Sequence, residues 1–157
     1  MYFPSKKDLR YSFIFWAQIF SGILVLIFIS EIYGFDFVNA FNGLGYVLVV
    51  LLMVLISLHL WIWFQTGYKI EKGKIKIKSG PLRKTVNIED INKMSTTSIS
   101  FTAISPFSGP ALSTERIEIN YGKHYDVINI SPASRKDFVK ILLSEKPDIQ
   151  TDIYINQ

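Results

Sequence analysis

The chain has 157 residues, a formal net charge of +4 and no cysteine, which excludes disulfides, thiol catalysis and zinc–thiolate sites. Its hydrophobic share of 49% is ordinary for a globular protein, but the apolar residues are concentrated in the first 68 positions and the charged residues in the rest. This uneven distribution predicts a membrane anchor followed by one small polar domain.

Two long stretches in the N-terminal part contain no charged residue, and they cover residues 11–30 and 37–68. A helix rises about 1.5 Å per residue, so roughly 20 residues cross the hydrocarbon layer of a bilayer. We therefore expect two transmembrane helices, at about residues 11–31 and 44–65. The first helix is expected to be retained, because its apolar run is too long for a signal peptide and lacks a small-x-small cleavage pattern.

Basic residues flank the two predicted helices on one side only. Three precede the first helix and five follow the second: Lys6, Lys7 and Arg10, then Lys69, Lys72, Lys74, Lys76 and Lys78. The intervening residues 31–42 contain none, so the positive-inside rule predicts that both termini are cytoplasmic. We expect a multi-pass cell-membrane protein with an anchor at residues 1–67, a cytoplasmic domain at 68–147 and a tail at 148–157.

Two polar residues, Gln18 and His59, interrupt the apolar stretches. In an antiparallel hairpin they come to about the same depth, and a hydrogen bond between them would offset the cost of placing them in lipid by about 0.6–2 kcal/mol. A histidine inside a membrane is also the kind of residue that relays protons. We favour packing over a relay, because a relay needs further ionisable partners.

After the second helix, apolar and polar residues alternate, as they do in strands with one buried face. Two short strands are predicted around a turn at Gly73, and a third at residues 84–88. Two more are predicted at 116–121 and 125–130, joined by a turn at Gly122.

The C-terminal part predicts one amphipathic helix. Ser131 and Pro132 have the residue types that begin a helix, and Phe138 and Leu142 lie on its apolar face. The tail 148–157 is either a frayed end or an added strand. Antiparallel strands followed by a helix that covers one open face are the plan of a pleckstrin-homology-like (PH-like) domain. The predicted fold class is therefore α+β, a two-helix transmembrane hairpin followed by a small PH-like antiparallel β domain with a C-terminal helix.

Four segments resemble a family of bacterial PH-like domains found in small membrane-anchored proteins. They are residues 2–8, 68–91, 108–122 and 130–138, and the most specific part is the block Pro-Ala-Leu-Ser…Arg-Ile-Glu-Ile…Tyr-Gly within 110–122. The resemblance covers nearly the whole chain. It implies the PH-like fold and membrane anchorage, and it carries over no catalytic residue.

A cluster of seven basic residues is the first candidate site: Lys69, Lys72, Lys74, Lys76, Lys78, Arg83 and Lys84. Beside anionic lipid, each near-surface charge could contribute about 1 kcal/mol to binding. One hypothesis is therefore that this cluster docks on the inner leaflet or binds an anionic headgroup. The alternative is that these residues serve only topology and solubility, since such signals occur without any ligand.

The loop at residues 103–113 is the second candidate site, because it carries the apolar residues Phe107 and Leu112 among prolines and glycine. An exposed apolar loop tip in a small domain can bind a protein partner. The same residues could instead fold back and plug the open end of the barrel.

No residue pattern points to catalysis. The two histidines, His59 and His124, do not have metal-ligand spacing. The adjacent carboxylates Glu89 and Asp90 are better explained by charge placement at a helix N-terminus than by acid–base chemistry. We expect a non-enzymatic adaptor or scaffold that needs no cofactor or metal and binds neither nucleic acid nor a small-molecule substrate. Its expected partners are the bilayer and a membrane protein.

Overall fold

The computed structural model describes residues 1–33, 44–98 and 111–153. In chain order the elements are β1 Tyr2–Pro4, α1 Leu9–Tyr33, α2 Leu44–Phe64, β2 Thr66–Glu71, β3 Lys74–Ser79, β4 Leu82–Asn87, β5 Ile91–Ser98, β6 Glu115–Tyr121, β7 Asp126–Ile130, α3 Arg135–Glu145 and β8 Gln150–Thr151. A short 3₁₀ turn, Ile88–Asp90, links β4 to β5. Two long apolar helices, two mainly antiparallel sheets and a C-terminal helix confirm the predicted α+β class.

The two long helices, α1 and α2, pack antiparallel. Near the start of α1, the Phe15 ring stacks on the Trp63 ring near the end of α2, with centroids 4.3 Å apart. Further along α1, a Cβ placed on Gly22 would lie 3.5 Å from Leu52 Cδ1. Gly22 therefore faces Leu52 of α2 at ordinary van der Waals distance, which agrees with the packing of the two helices.

The two helices differ in whether they meet the length criterion for crossing a membrane. In the described part of the chain, one stretch satisfies it, Leu9–Phe28 of α1, and 17% of that stretch is buried. Val49–Phe64 of α2 is a shorter apolar run, although the whole of α2 has 21 residues. One of the two predicted helices is therefore long and apolar enough to cross a membrane, and a second crossing by α2 stays a prediction.

The first sheet has the order β1-β2-β3-β4. The predicted hairpin between β2 and β3 is confirmed, with Ile70 opposite Ile75 and Tyr68 opposite Ile77. All four side chains are buried, because alternate residues of a strand point to the same face. At the turn, Gly73 has a φ of +70°, a conformation that glycine adopts without steric cost.

The second sheet has the order β7-β6-β5-β8. The predicted hairpin of β6 and β7 is confirmed, with Ile117 opposite Ile130 and Ile119 opposite Ile128. The C-terminal tail supplies β8, which pairs parallel to β5. Ile149, just before β8, is buried in the core. Of the two alternatives for the tail, the added strand is therefore correct for residues 150–151.

The N-terminal strand β1 departs from the predicted division of the chain, which assigned residues 1–67 to the anchor. Tyr2, Phe3 and Pro4 pair antiparallel with β2. On the other side of β1, Ser5 forms an isolated bridge with Pro132, which follows β7, and the Ala133 N–H donates to the Pro4 carbonyl at 2.9 Å. Strand β1 therefore lies between the two sheets and joins them.

The C-terminal helix begins later than predicted. Helix α3 starts at Arg135, with Ser134 in the cap position, whereas Ser131 and Pro132 are buried in extended chain. The reason is that the Ser131 carbonyl already accepts the Lys6 N–H at 2.6 Å, which holds this segment against the N-terminus. From α3, Phe138 enters the core and meets the Phe3 ring edge-on at 5.2 Å.

We expect Phe3→Ala to destabilise the PH-like domain by about 3 kcal/mol, because it removes a buried ring and leaves a cavity beside Phe138. Thermal or denaturant unfolding of the full chain in detergent measures this loss. The control is Lys136→Ala on the exposed face of α3, which should change the free energy of unfolding by less than about 0.5 kcal/mol. Equal losses in the two variants would contradict the assignment of β1 to the core.

Candidate membrane-proximal site

Five of the seven predicted basic residues share the outer face of the first sheet. Lys69 lies opposite Lys76, and Lys78 lies opposite Arg83. Lys74 is two residues from Lys76 on the same strand, so it points the same way. The alternation of inward isoleucines and outward lysines brings these side chains together, as the hypothesis of a basic face requires.

A carboxylate interrupts this basic face. Glu71 Oε2 lies 3.1 Å from both Lys69 Nζ and Lys76 Nζ. Hydrogen bonds from Lys76 and then from Lys69 hold the pKa of the Glu71 carboxyl below its usual range. Glu71 therefore stays ionised at neutral pH and neutralises part of the positive charge at the centre of the face.

The other two predicted basic residues lie elsewhere. Lys84 is opposite Ile77, on the inward side of the sheet, and its Nζ lies 5.2 Å from the centroid of the Tyr121 ring. Lys72 is in the turn between β2 and β3, with a φ of +53°. These two therefore lie off the face that the other five share, because the strand register places the exposed Lys84 on the other side of the sheet and Lys72 lies in the turn. Contact of any of the seven with lipid stays a prediction.

The turn between β3 and β4 packs against the end of α2. A Cβ placed on Gly80 would lie 2.8 Å from Ile62 Cγ1 and 3.1 Å from the Ile62 backbone nitrogen. Nearby, Thr66 Oγ1 donates to the Ile62 carbonyl at 2.6 Å and lies 3.2 Å from Ser79 Oγ. This turn therefore lies beside the last turn of α2, and only glycine fits at position 80.

A carboxylate fixes the start of α1 to the second sheet. Asp8 Oδ1 accepts the Tyr11 N–H at 2.7 Å, as an N-cap does. Its Oδ2 accepts the Thr114 N–H at 2.6 Å, the Thr114 hydroxyl at 2.7 Å and the Ser113 hydroxyl at 3.0 Å. Burial raises the pKa of Asp8, but the hydrogen bonds from Thr114, Tyr11 and Ser113 outweigh it and leave the pKa below the ordinary value of 3.8.

A second polar cluster lies just inside this junction. Ser5 Oγ is 3.2 Å from the Tyr68 hydroxyl and 3.0 Å from Ser131 Oγ. The Ser131 N–H donates to the Tyr68 hydroxyl oxygen at 3.0 Å, and the Leu112 N–H donates to Ser131 Oγ at 3.1 Å. Burial raises the pKa of Tyr68, so its hydroxyl stays protonated. Because buried polar groups are costly unless paired, this network specifies how the three segments meet.

Arg116 completes the junction. Its side chain is only 1% exposed, and its Nε–H donates to the Ser113 carbonyl at 2.8 Å. Burial lowers the pKa of the guanidinium, while the nearby Tyr11, Tyr68 and Asp8 act in the opposite direction. The arginine therefore fixes the segment just before β6 and places a positive charge near the start of α1.

The predicted partner loop is only partly described. Phe107 lies outside the described residues. Leu112 is 3% exposed and belongs to an apolar cluster with Tyr11, Phe15 and Trp63. The expectation of an exposed apolar tip is therefore wrong for Leu112, because its side chain packs between the helices and the β domain.

The two polar residues predicted to pair within the helices, Gln18 and His59, line the same shallow groove. Gln18 and His59 both line a cavity of about 280 Å³, together with four apolar residues. His59 Nδ1 lies 2.8 Å from the Leu55 carbonyl oxygen of its own helix. The structure thus brings the two side chains to the same groove, and a hydrogen bond between them stays a prediction.

The sequence did not reveal the junction formed by Ser5, Asp8, Arg116 and Ser131. An aspartate just before an apolar helix is a recognisable N-cap signal. Its contacts with residues 113–114 span more than 100 positions, and no local pattern indicates such a pairing. Within residues 1–33, 44–98 and 111–153, no group of His, Cys, Asp or Glu is arranged to hold a metal ion.

Comparison with known families matches residues 66–146 to the bacterial PH domain. This match covers just over half of the chain, so the chain belongs to the bacterial PH domain family, as the resemblance predicted. PH-like domains are generally non-enzymatic. No curated protein and no solved structure matched the chain.

We expect Asp8→Asn to destabilise the protein by about 1–3 kcal/mol at neutral pH, because it removes an ionised acceptor of four hydrogen bonds. The folded-state pKa of Asp8 lies below 3.8, so its stabilisation is complete above pH 3.8 and is lost as the pH falls through the folded-state pKa. Denaturant unfolding of both proteins at several pH values should therefore show a difference that shrinks below pH 3.8.

The matched control is Glu115→Gln, which removes the same charge from the residue that follows Thr114. Glu115 pairs with Lys6 at 2.8 Å on the exposed surface, so the loss should be below about 1 kcal/mol. A pH-independent difference between Asp8→Asn and the parent would show that the charge of Asp8 does not matter.

We expect Gly80→Ala to cost more stability than Gly73→Ala. Both glycines have a positive φ, so each variant carries a backbone strain of about 1 kcal/mol. Only position 80 also has a neighbour in the way, since nothing lies within 4 Å of a Cβ at position 73. Displacing the turn from Ile62 should add about 1–3 kcal/mol. Thermal unfolding compares the variants, and equal shifts would mean that the contact with α2 contributes nothing.

Proposed function

We propose that the protein is a membrane-anchored PH-like module that acts without catalysis, as an adaptor or scaffold at the cytoplasmic leaflet. In this proposal α1 and α2 cross the bilayer as an antiparallel hairpin and hold the β domain close to the lipid surface. The partners are the bilayer itself and a membrane protein that the domain holds near it.

The exposed apolar surface of the helices carries this proposal. Along α1 the exposed side chains include Phe13, Phe20, Leu24 and Phe28. Along α2 they include Val47, Val50, Leu51 and Met53. The core helix of a water-soluble protein would bury such residues, and a contiguous apolar surface of this size is typical of contact with lipid.

The pairing of β1 with β2 supports two crossings. Strand β1 precedes α1 and strand β2 follows α2, yet Phe3 lies opposite Tyr68 in one sheet. If α1 crosses a bilayer, the chain has to return before β2 in order to form this pair. Helix α2 has 21 residues, which give a length of about 30 Å and match the hydrocarbon thickness.

The distribution of basic residues favours the cytoplasmic side for both ends of the hairpin. Lys7 Nζ lies 5.0 Å from the centroid of the Trp63 ring and 5.4 Å from that of Phe64. A cation above aromatic rings at the end of an apolar helix is the arrangement expected at a headgroup interface.

Anionic-lipid sensing is a second candidate function, and the basic outer face of the first sheet favours it. The face carries five positive charges, from Lys69, Lys74, Lys76, Lys78 and Arg83. One negative charge, that of Glu71, offsets them in part. Interaction through the loop at 103–113 is a further candidate, and it now depends on Phe107, because Leu112 is buried.

The topology can be tested by labelling single cysteines, because the native chain has none. We expect Asn42→Cys to react with a membrane-impermeant maleimide added outside intact cells. Lys7→Cys and Lys72→Cys should react only after the membrane is made permeable. The unsubstituted chain, which should not be labelled, is the control.

Two outcomes would contradict the proposal in different ways. Labelling of Lys72→Cys from outside, with Asn42→Cys protected, would reverse the orientation. Labelling of Asn42→Cys and Lys72→Cys from the same side would eliminate the second crossing.

A further inference from the structure

The turn between β3 and β4 lies at the same level along the helix axis as the last residues of α2. Gly80 packs against the backbone of Ile62, whereas α2 continues to Phe64. The Gly80 N–H also points to the Gln65 carbonyl at 3.3 Å. The turn therefore lies alongside the final residues of the helix rather than beyond them.

Both elements that meet at this point carry exposed apolar side chains. Leu82, the first residue of β4, is 69% exposed, and Phe64 at the end of α2 is 67% exposed. Trp61 is also exposed, and Pro81 in the turn is exposed between Gly80 and Leu82. A large leucine exposed at a turn that touches an apolar helix extends the apolar surface of that helix onto the β domain.

Two cations flank the same turn. Lys78 and Arg83 lie directly opposite each other on β3 and β4. Like charges in that position destabilise a sheet unless an anion compensates for them. Lys78 Nζ donates to Gln65 Oε1 at 2.6 Å, so the ammonium is held at the level where α2 ends.

We propose that the turn Ser79–Leu82 inserts into the headgroup region of the membrane that α1 and α2 cross. Leu82 reaches the boundary of the acyl chains, and Lys78 and Arg83 bind lipid phosphate groups. This inference rests on the proposed membrane anchorage and adds a third contact between the protein and the bilayer. It also assigns lipid contact to the helix-proximal end of the basic face, away from Lys74 and the turn at Lys72.

Site-directed spin labelling tests the proposal on the full chain. Single-cysteine variants Leu82→Cys, Thr85→Cys and Lys72→Cys are labelled and reconstituted in vesicles that contain phosphatidylglycerol. Collisions with oxygen, which partitions into lipid, and with a water-soluble nickel chelate are then measured. Val54→Cys, on the exposed surface of α2, reports on the anchor independently.

We expect the label at position 82 to collide with the nickel chelate about threefold less often than the label at position 72 does, and to collide more often with oxygen. Thr85 is exposed three residues further along the same strand, and it should behave like position 72. The comparison of positions 82 and 85 separates insertion of the turn from immersion of the whole strand.

Three outcomes would contradict either the insertion of the turn or the proposed membrane anchorage. Equal nickel accessibility at 82 and 72, with a protected label at 54, contradicts the insertion of the turn and leaves the anchor intact. Protection of the label at 82 from both reagents indicates protein contact instead of lipid and also overturns the inference. Nickel accessibility at 54 contradicts the proposed anchorage itself.

Discussion

Pairing of the N-terminal strand with the strand that follows the second helix is the constraint on which the rest of this structure depends. Residues 2–4 hydrogen-bond to β2 on one side, and Ser5 bridges to Pro132 on the other. A segment with only three strand residues thereby joins the two sheets and brings the start of α1 close to the end of α2. Phe3 adds a buried ring to the core beside Phe138. Strand β1 thus connects α1 directly to the β domain, whereas a flexible linker would leave the two parts independent.

The junction beneath the helices makes that connection rigid. Asp8 caps α1 and binds the segment before β6 with the same carboxylate, while Gly80 allows the β3–β4 turn to pack on α2. Each helix is therefore fixed to a different sheet. Leu112 fills the space between the two attachment points. An event in the domain that displaced either attachment would also displace a helix, which is a property suited to an adaptor whose orientation to the membrane matters.

Local sequence patterns predicted much of this fold, and the failures have different physical causes. The apolar runs and the alternation of isoleucine with lysine indicated the helices and the hairpins, because both depend on neighbours in the chain. Ser131 was misread as a helix cap, because its hydroxyl and carbonyl bind Ser5 and Lys6 instead. Lys84 has the composition of a surface lysine, but the register of β4 directs it toward Tyr121. Contacts across more than 100 residues decide the case of Ser131, and local periodicity carries no information about them. Lys84, by contrast, has the same strand parity as the buried Val86, so the alternation within β4 already indicates its face.

The position of β1 in the chain has a consequence for biosynthesis. Tyr2–Pro4 precedes both helices in the chain and its partner Thr66–Glu71 follows them, so the two strands can pair only after both helices have been made. If just one of the helices entered the bilayer, the two strands would lie on opposite sides, and the first sheet would lack β1, the strand that joins it to the second. The β domain can therefore be completed only if the chain crosses the bilayer an even number of times between β1 and β2. If α1 and α2 cross the bilayer as proposed, folding of the β domain would therefore depend on correct insertion of both helices.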